Sequence, residues 1–87
     1  MGNIVFIDVR EPQEFARGHV QGAINIPPSD LMAGAPQLKD IPKDSKLIVY
    51  CITGSRSNAS INILKSLGYE NVENGINQKH VEAKYFS

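Results

Sequence analysis

Three apolar runs have the length and composition of strands in a buried sheet. Residues 4–9 and 46–50 are apolar without strict alternation, which is typical of strands that are covered on both faces in a parallel sheet. A shorter run, residues 23–26, ends at Pro27 and Pro28, because proline cannot donate to a sheet ladder. We expect residues 46–50 to lie at the centre of the core.

Two short helices are predicted between these strands. Residues 12–17 begin with a proline, which suits the first turn of a helix, and Gly18 suits its end. Ser29 or Asp30 is predicted to cap a second short helix, which continues through Met32 before a glycine and a proline break it. Strands and helices thus alternate over the first half of the chain.

The second half of the chain is predicted to hold two further helices and a short strand. A helical pattern begins near Asn58 and ends at Gly68. Its apolar face comprises Ala59, Ile63 and Leu67, widened by Ile61 and Leu64. Val72 belongs to a short strand, and the Asn-Gly pair at residues 74–75 is a turn signal that separates it from a final helix over residues 76–85.

Alternating strands and helices of this kind predict an α/β fold. We expect a small three-layer α/β/α domain around a mainly parallel central sheet. We expect all 87 residues, 1–87, to belong to this single domain, because either half would lack a core of its own. A hydrophobic fraction of 41% and a net charge of zero are typical of a globular chain and indicate no nucleic-acid or anionic membrane partner.

The sequence predicts neither a membrane span nor a targeting segment. No apolar run approaches the roughly 20 residues that are needed to cross a bilayer. Asp8 and Arg10 interrupt the opening apolar run, which does not fit a signal-peptide pattern. We therefore expect a cytoplasmic protein as the chain stands, or a periplasmic one if a signal peptide has been removed.

The single cysteine, Cys51, follows the strand at residues 46–50 and precedes a loop of small residues. One cysteine cannot form an internal disulfide, and neither histidine is close enough in sequence to suggest a shared metal site. A lone cysteine at a strand end is usually a small hydrophobic core residue. A core cysteine, however, does not require the polar, cationic turn that follows Cys51, so we favour a reactive cysteine.

The composition of this turn is that of an anion-binding loop. Gly54 permits a positive φ angle, and the small Ser55 lets consecutive N–H groups turn inward. Arg56 adds a cation, and Ser57 is placed to cap the following helix or to donate its hydroxyl to a ligand. Because a helix N-terminus and a nearby cation lower the pKa of a thiol, we expect Cys51 to act as a thiolate nucleophile.

Two segments of the chain resemble the signatures of the rhodanese family. The first is CITGSRS at residues 51–57, in which four residues separate the cysteine from the arginine. The second is IDVREPQEF at residues 7–15, followed by GHVQGAINIP at residues 18–27. The resemblance covers nearly the whole chain, and the compact size is similar to that of the family's single-domain type.

The resemblance implies a sulfurtransferase that moves a sulfane sulfur from a donor such as thiosulfate to a thiophilic acceptor. Cys51 would become a persulfide, and cyanide or a thiol, including a protein thiol, would remove the sulfur. No metal or organic cofactor would be required, and we expect a monomer without nucleic-acid or membrane partners. The predicted persulfide-binding loop comprises Ile52, Thr53, Gly54, Ser55, Arg56 and Ser57.

Two alternative functions remain open. Ile52 stands where many thiosulfate-using members of the family have a cation, so the chain could be a persulfide carrier or binding module with little thiosulfate activity. A cysteine-dependent phosphatase is the lesser alternative. Phosphatases with similar sheets have five residues between cysteine and arginine, and the four-residue spacing here suits one sulfur atom better than a phosphate group.

Asp8 and Arg10 are predicted to support the site. Asp8 is near the carboxyl end of the first strand, where ligands gather in open α/β sheets, and could steady Arg56 or Arg10. The alternative is that local backbone groups satisfy its hydrogen bonds. Arg10 and Glu14 look like a structural pair of the family beside the site, or else a surface ion pair of small energetic value. His19 is expected to pack and to bond to the backbone.

Overall fold

The computed structural model describes residues 3–86 and places four strands in one sheet. The strands are β1 (Ile4–Asp8), β2 (Ile24–Asn25), β3 (Lys46–Cys51) and β4 (Val72–Asn77). They lie in the order β2-β1-β3-β4, and each neighbouring pair is parallel. The predicted α/β class with a parallel central sheet is confirmed, and the carboxyl ends of the four strands meet at one edge.

Helices cover both faces of this sheet. They are α1 (Pro12–Ala16), α2 (Pro28–Met32), α3 (Ser55–Ser66) and α4 (Gln78–Tyr85), with a 3-10 turn at Pro36–Leu38. Leu31 of α2 and Leu64 of α3 pack in one buried cluster, whereas Val81 of α4 packs in a second cluster with Ile48 and Tyr50. Within residues 3–86, none of these helices has the length and apolar character that crossing a membrane requires.

β3 is the strand that separates the two clusters. Its residues 47–51 are each at most 2% exposed. Successive side chains of a strand point to opposite faces, and Leu47, Val49 and Cys51 accordingly join one cluster while Ile48 and Tyr50 join the other. The uninterrupted apolar run in the sequence therefore reflects burial on both faces, as predicted.

The start of α2 differs from the prediction. The helix begins at Pro28, whose missing N–H is not needed in a first turn, and Pro27 is an N-cap without a side-chain hydrogen bond. Ser29 and Asp30 therefore lie inside the helix instead of capping it. Asp30 accepts a hydrogen bond from Gln37 Nε2 at 2.7 Å, which ties α2 to the turn that follows.

The start of α3 also differs, because the helix begins at Ser55 and not near Asn58. Gly54 is the N-cap, with a φ of 93° that glycine adopts without steric cost. The amide of Asn58 already bonds to the Gly54 carbonyl at 2.9 Å. The first turn of α3 therefore includes Ser57 and directly follows the short loop after Cys51.

The buried face of α3 is more polar than its apolar periodicity predicted. Its buried residues are Ser57, Ser60 and Leu64. Ala59, which was predicted on this face, is exposed, whereas Ile63 and Leu67 are partly buried against the core as predicted. Ser60 Oγ donates to the carbonyl of Arg56 at 2.8 Å, so this hydroxyl is satisfied within its own helix and can face the sheet.

The predicted turn at Asn74 and Gly75 is wrong, because both residues lie inside β4. Val49 of β3 pairs with Asn74, whereas the next residue, Tyr50, pairs with Ile76. Gly75 is therefore an extra residue in a β-bulge. A strand with a bulge can carry an Asn-Gly pair without reversing direction.

The bulge is closely packed and locally strained. A Cβ atom on Gly75 would lie 2.5 Å from Cγ2 of Val81, so a larger residue does not fit without a shift. Ile76 has a φ of 73°, which is unusual for a β-branched side chain. Ile76 thus belongs to the strand, and α4 begins at Gln78, two residues later than predicted, with the side chain of Asn77 as its N-cap.

Candidate active site

Cys51 ends β3 at the carboxyl edge of the sheet, and the chain then turns back toward its sulfur. The Sγ atom accepts the N–H group of Gly54 at 3.2 Å and that of Ser57 at 3.4 Å. Because Ser57 lies in the first turn of α3, the positive end of the helix dipole faces the sulfur. Cys51 is 2% exposed, so water competes little with these donors.

Burial and hydrogen bonding act in opposite directions on the thiol. Burial raises the pKa of Cys51, while hydrogen bonds with the Ser57 hydroxyl and with the amides of Ser57, Gly54 and Ile52 lower it. The hydrogen bonds together outweigh burial, so the pKa of Cys51 lies below its ordinary value. A larger share of the side chain is therefore thiolate at neutral pH, which is the form that attacks electrophiles.

The side chains of the loop occupy different positions around the sulfur. Ser57 is buried, and its Oγ lies 3.5 Å from Sγ of Cys51. Thr53 and Ser55 are at the surface, where their hydroxyls bond to each other at 3.1 Å. Ile52 is 52% exposed. Ser57 is thus the loop hydroxyl that contacts the sulfur, and it does so from inside the helix.

Arg56 lies against a carboxylate. Its Nη1 and Nη2 atoms donate to the two carboxylate oxygens of Glu14 at 2.9 and 3.2 Å. These bonds, together with one from the amide of Glu11, lower the pKa of Glu14 to about 2, so the pair is ionised at neutral pH. Arg56 was predicted as the loop cation. The structure shows that Arg56 links α3 to α1 and that the carboxylate of Glu14 balances its positive charge.

Asp8 and Arg10 form a second pair at the adjacent strand end. Nη2 of Arg10 donates to Asp8 at 2.6 Å and Nε donates to it at 2.9 Å, while Asp8 itself is 0% exposed. The buried carboxylate also accepts the hydroxyl of Tyr50 at 2.8 Å, and that hydroxyl accepts the Val20 N–H at 2.9 Å. The hydrogen bond with Asp8 raises the pKa of Arg10.

These contacts decide between the two predicted partners of Asp8. The carboxylate steadies Arg10 and not Arg56. The predicted pair of Arg10 with Glu14 is wrong, since each residue has another partner. The two acids and the two arginines could be assigned to the site from the sequence. Which acid pairs with which arginine is decided by the folded structure.

A cavity of about 250 Å³ opens beside Cys51 at this edge of the sheet. It is lined by Arg10, Cys51, Ile52, Asn77, Gln78 and Lys79. A neighbouring cavity of about 360 Å³ shares three of these residues and extends to Arg17. Lys79 and Arg17 form no ion pair within residues 3–86, so their positive charge is available to an anionic ligand.

Sequence reasoning missed the contribution of residues 77–79 to this cavity. Residues 76–85 were predicted as a helix, so the last residues of β4 were not recognised as part of a strand. The available signal was the convergence of parallel strand ends at one edge, which places the residues after β4 beside those after β3.

His19 behaves as predicted and lies outside the sulfur site. Its ring stacks on Phe15 with centroids 3.6 Å apart, and its Nδ1 bonds to the Phe15 carbonyl at 2.8 Å. Within residues 3–86, we find no group of three or more His, Cys, Asp or Glu side chains arranged to hold a metal ion.

The chain is similar to known proteins over most of its length. A family model described as Rhodanese-like domain matches residues 1–78. The chain is 40% identical over 73 residues to thiosulfate sulfurtransferase PspE of Escherichia coli (strain K12), which covers 79% of this chain and 65% of that protein. It is 38% identical over 79 residues to the thiosulfate:glutathione sulfurtransferase of Saccharomyces cerevisiae, with coverage of 79% and 57%.

Solved structures agree with these sequence matches. A rhodanese with anions from E. coli superposes with a TM-score of 0.71 at 38% identity, covering 88% of this chain and 89% of that one. The chain spans less than two thirds of the length of the curated relatives described above.

Proposed function

The chain belongs to the rhodanese family, and we propose that it is a sulfurtransferase that carries a sulfane sulfur on Cys51. The observation that carries the proposal is the position of Cys51 Sγ, which lies 3.2 and 3.4 Å from two N–H groups. Donors fixed in this way stabilise an anionic sulfur, whether it is a thiolate or a persulfide. The names of the E. coli and S. cerevisiae relatives support thiosulfate as a donor and a thiol as an acceptor.

In the loading step, the Cys51 thiolate attacks the outer sulfur of thiosulfate. The S–S bond of thiosulfate breaks, and its electron pair leaves with sulfite. The new S–S bond converts Cys51 into a persulfide anion, so the total charge is unchanged and no external electron donor is needed. The amides of Gly54 and Ser57 stabilise the thiolate before the attack and the persulfide after it.

In the unloading step, cyanide or a thiolate attacks the outer sulfur of the persulfide. The persulfide S–S bond breaks, its electron pair returns to the Cys51 sulfur, and the acceptor leaves as thiocyanate or as a new persulfide. The cavity of about 250 Å³ beside Cys51 offers the acceptor a place to bind. Lys79 at its wall would attract an anionic donor or acceptor.

The two acid–arginine pairs support this site. Glu14 holds Arg56 and thereby fixes α1 against the first turn of α3, which carries the amide of Ser57. Asp8 holds Arg10, whose side chain lines the cavity. We assign both pairs a positioning role, since the described hydrogen bonds to the sulfur come from the loop.

Replacing the nucleophile tests the proposal. We expect Cys51→Ser to abolish sulfur transfer from thiosulfate to cyanide, because a serine hydroxyl forms no persulfide. The substitution is nearly isosteric, so the circular dichroism spectrum and thermal unfolding should stay close to those of the wild type. Thiocyanate formation, measured for both proteins at equal concentration, is the readout. Full activity in a folded Cys51→Ser protein would refute the proposal.

A persulfide carrier with little thiosulfate activity is the second candidate function, and the half-exposed Ile52 favours it. An apolar residue at that position attracts no dianion, but it could contact a partner protein. Comparing kcat/KM for thiosulfate with that for a low-molecular-weight persulfide separates the two functions. Efficient thiosulfate turnover would exclude the carrier. A phosphatase has less support, because the four-residue spacing to Arg56 leaves little room for phosphate.

A further inference from the structure

The bulge in β4 brings Asn74 against the cysteine loop. Gly75 has no partner in the register between β3 and β4, and Ile76, the residue after it, has a φ of 73°. Bulges next to functional sites commonly turn a side chain away from its regular direction. Here Asn74 reaches two residues of the cysteine loop, Gly54 and Ser57.

Three hydrogen bonds fix the Asn74 amide. Its Nδ2 donates to the Gly54 carbonyl at 3.1 Å. Its Oδ1 accepts the Ile76 N–H at 2.9 Å and the Ser57 hydroxyl at 2.6 Å. With the amide reversed, Nδ2 would face the Ile76 N–H and two donors would oppose each other, so only one orientation satisfies all three contacts.

The Ser57 hydroxyl has one proton and three neighbouring acceptors. Asn74 Oδ1 lies 2.6 Å away, the Gly54 carbonyl 3.1 Å and Cys51 Sγ 3.5 Å. The shortest contact goes to Asn74, and Ser57 can then accept the S–H of Cys51. The proton of Ser57 can reach an anionic sulfur only by leaving another acceptor.

We propose that Asn74 is a positioning residue for Cys51, which holds the Gly54 carbonyl in place and shares the single Ser57 proton with the sulfur. While sulfur carries its proton, Cys51 donates to Ser57 and Ser57 donates to Asn74. When sulfur loses its proton to the solvent, the Ser57 hydroxyl turns toward the anion. Asn74 Oδ1 keeps its bond from Ile76, so it tolerates this change. The proposal rests on the proposed function only in that Cys51 is the reactive atom.

An Asn74→Asp substitution tests whether Asn74 and the Cys51 sulfur share the Ser57 proton. A carboxylate retains the Ser57 proton more strongly than an amide does, and it cannot donate to the Gly54 carbonyl. The weaker donation from Ser57 to sulfur and the loss of the bond that holds the Gly54 carbonyl both disfavour the Cys51 thiolate. We expect the midpoint of the pH–rate profile for iodoacetamide alkylation of Cys51 to move to higher pH. At a pH below the wild-type midpoint, alkylation should be roughly three- to tenfold slower. An unchanged profile in the folded variant would overturn the proposal.

Two further proteins separate an action through Ser57 from a general effect of charge. We expect Asn74→Asp to raise the pH midpoint of Cys51 alkylation clearly less in a Ser57→Ala protein than in the wild type. An equal shift with and without the Ser57 hydroxyl would show that the carboxylate acts through space, and would overturn the positioning role. Asn71→Asp, an exposed substitution just before β4, is the charge control and should retain the wild-type profile.

A measurement on the unmodified protein keeps the proposal testable if Asn74→Asp does not fold. We expect the side-chain amide signals of Asn74 in a ¹⁵N–¹H spectrum to change with pH at the midpoint of Cys51 alkylation, because Ser57 then leaves Oδ1. The amide signals of Asn71 are the internal reference. Asn74 signals that do not change at that midpoint would contradict proton sharing.

Alkylation does not depend on sulfur transfer, so the two proposals can fail separately. If the wild type accepts sulfur from no donor while Asn74→Asp still slows alkylation, the proposed function fails and the role of Asn74 stands. If sulfur transfer is observed and Asn74→Asp has the wild-type alkylation profile, only the role of Asn74 fails.

Discussion

β3 and β4 lie side by side in the sheet, but they contribute to the site in different ways. β3 is apolar, regular and buried on both faces, and it delivers Cys51 to the carboxyl edge. β4 has the sequence VENGIN, contains a bulge, and includes one residue at positive φ. The regular strand presents the reactive atom, whereas the irregular strand holds the loop around it through Asn74.

This difference separates two physical requirements of the site. Placing Cys51 requires a rigid strand, which hydrophobic burial supplies. Directing a hydroxyl and two amides at its sulfur requires polar groups in less common backbone geometry, which the chain maintains because surrounding packing compensates for the strain. Substitutions at the bulge of β4, at the residue after β3, and at the pair of Glu14 with Arg56 probe these two requirements, with decreasing expected effect.

Filling the bulge should have the largest effect on stability. In Gly75→Ala, the new Cβ would lie 2.5 Å from Val81 Cγ2 and 3.0 Å from Ile48 Cγ2. We expect the free energy of unfolding to fall by about 2–3 kcal/mol, in the upper part of the range for overpacked cores. Urea unfolding measures the change. Gly34→Ala is the control, since nothing lies within 4 Å of that position and only backbone strain of about 1 kcal/mol is expected. Equal losses would contradict close packing at the bulge.

Adding a cation after β3 should improve the use of thiosulfate. Ile52 lines the cavity beside Cys51 and is 52% exposed, so a lysine there can attract a dianion. We expect Ile52→Lys to raise kcat/KM for thiosulfate about fivefold, which corresponds to an attraction of about 1 kcal/mol between charges in water. Ile52→Gln, polar but uncharged, is the matched control. The gain should shrink at high salt. An equal gain in both variants would rule out an electrostatic cause.

Breaking the pair of Glu14 and Arg56 should have the smallest effect. The pKa of Glu14 is about 2 in the folded protein, below its ordinary value of 4.5. The pair therefore stabilises the fold above about pH 4.5, and this contribution is lost as the pH falls toward 2. We expect Glu14→Gln to lower the free energy of unfolding by less than about 1 kcal/mol at pH 6, because both side chains are partly exposed.

The pH dependence provides the check on this pair. The difference between Glu14→Gln and the wild type, measured by urea unfolding, should narrow between pH 4.5 and pH 2. Glu70→Gln, which alters an exposed glutamate without an ion pair in residues 3–86, is the control and should show a smaller difference at pH 6. A difference that stays constant with pH would mean that the charge of Glu14 is not responsible.

The regular parts of this fold could be predicted from the sequence. β3 is buried on both faces, and its sequence is accordingly an unbroken apolar run. The small residues after Cys51 indicate a loop whose amides point at the sulfur. The start of β4 at Val72 could be predicted, but its continuation could not. Asn74 and Gly75 form a common turn signal, and only the contacts with Val49, Tyr50 and Val81 make them a bulge.

The pairing of Glu14 with Arg56 could not be predicted from the sequence, whereas Arg10 was one of two predicted partners of Asp8. Asp8 and Arg10 are two residues apart, but Glu14 and Arg56 are separated by 42 positions and meet only in the folded chain. The polar face of α3 was missed for a related reason. Hydrophobic periodicity does not identify Ser57 and Ser60 as buried, because their hydroxyls find partners only in the folded chain. Ser57 donates to Asn74 of β4, and Ser60 donates to the Arg56 carbonyl.

The most direct test of the central claim is the intact mass of the protein after treatment with thiosulfate and removal of excess reagent. We expect the mass of one added sulfur atom, located on Cys51 by peptide mapping, and its loss after addition of cyanide. Cys51→Ser should gain no sulfur. A wild-type protein that gains no sulfur from thiosulfate or from a low-molecular-weight persulfide would contradict the claim that Cys51 carries a sulfane sulfur.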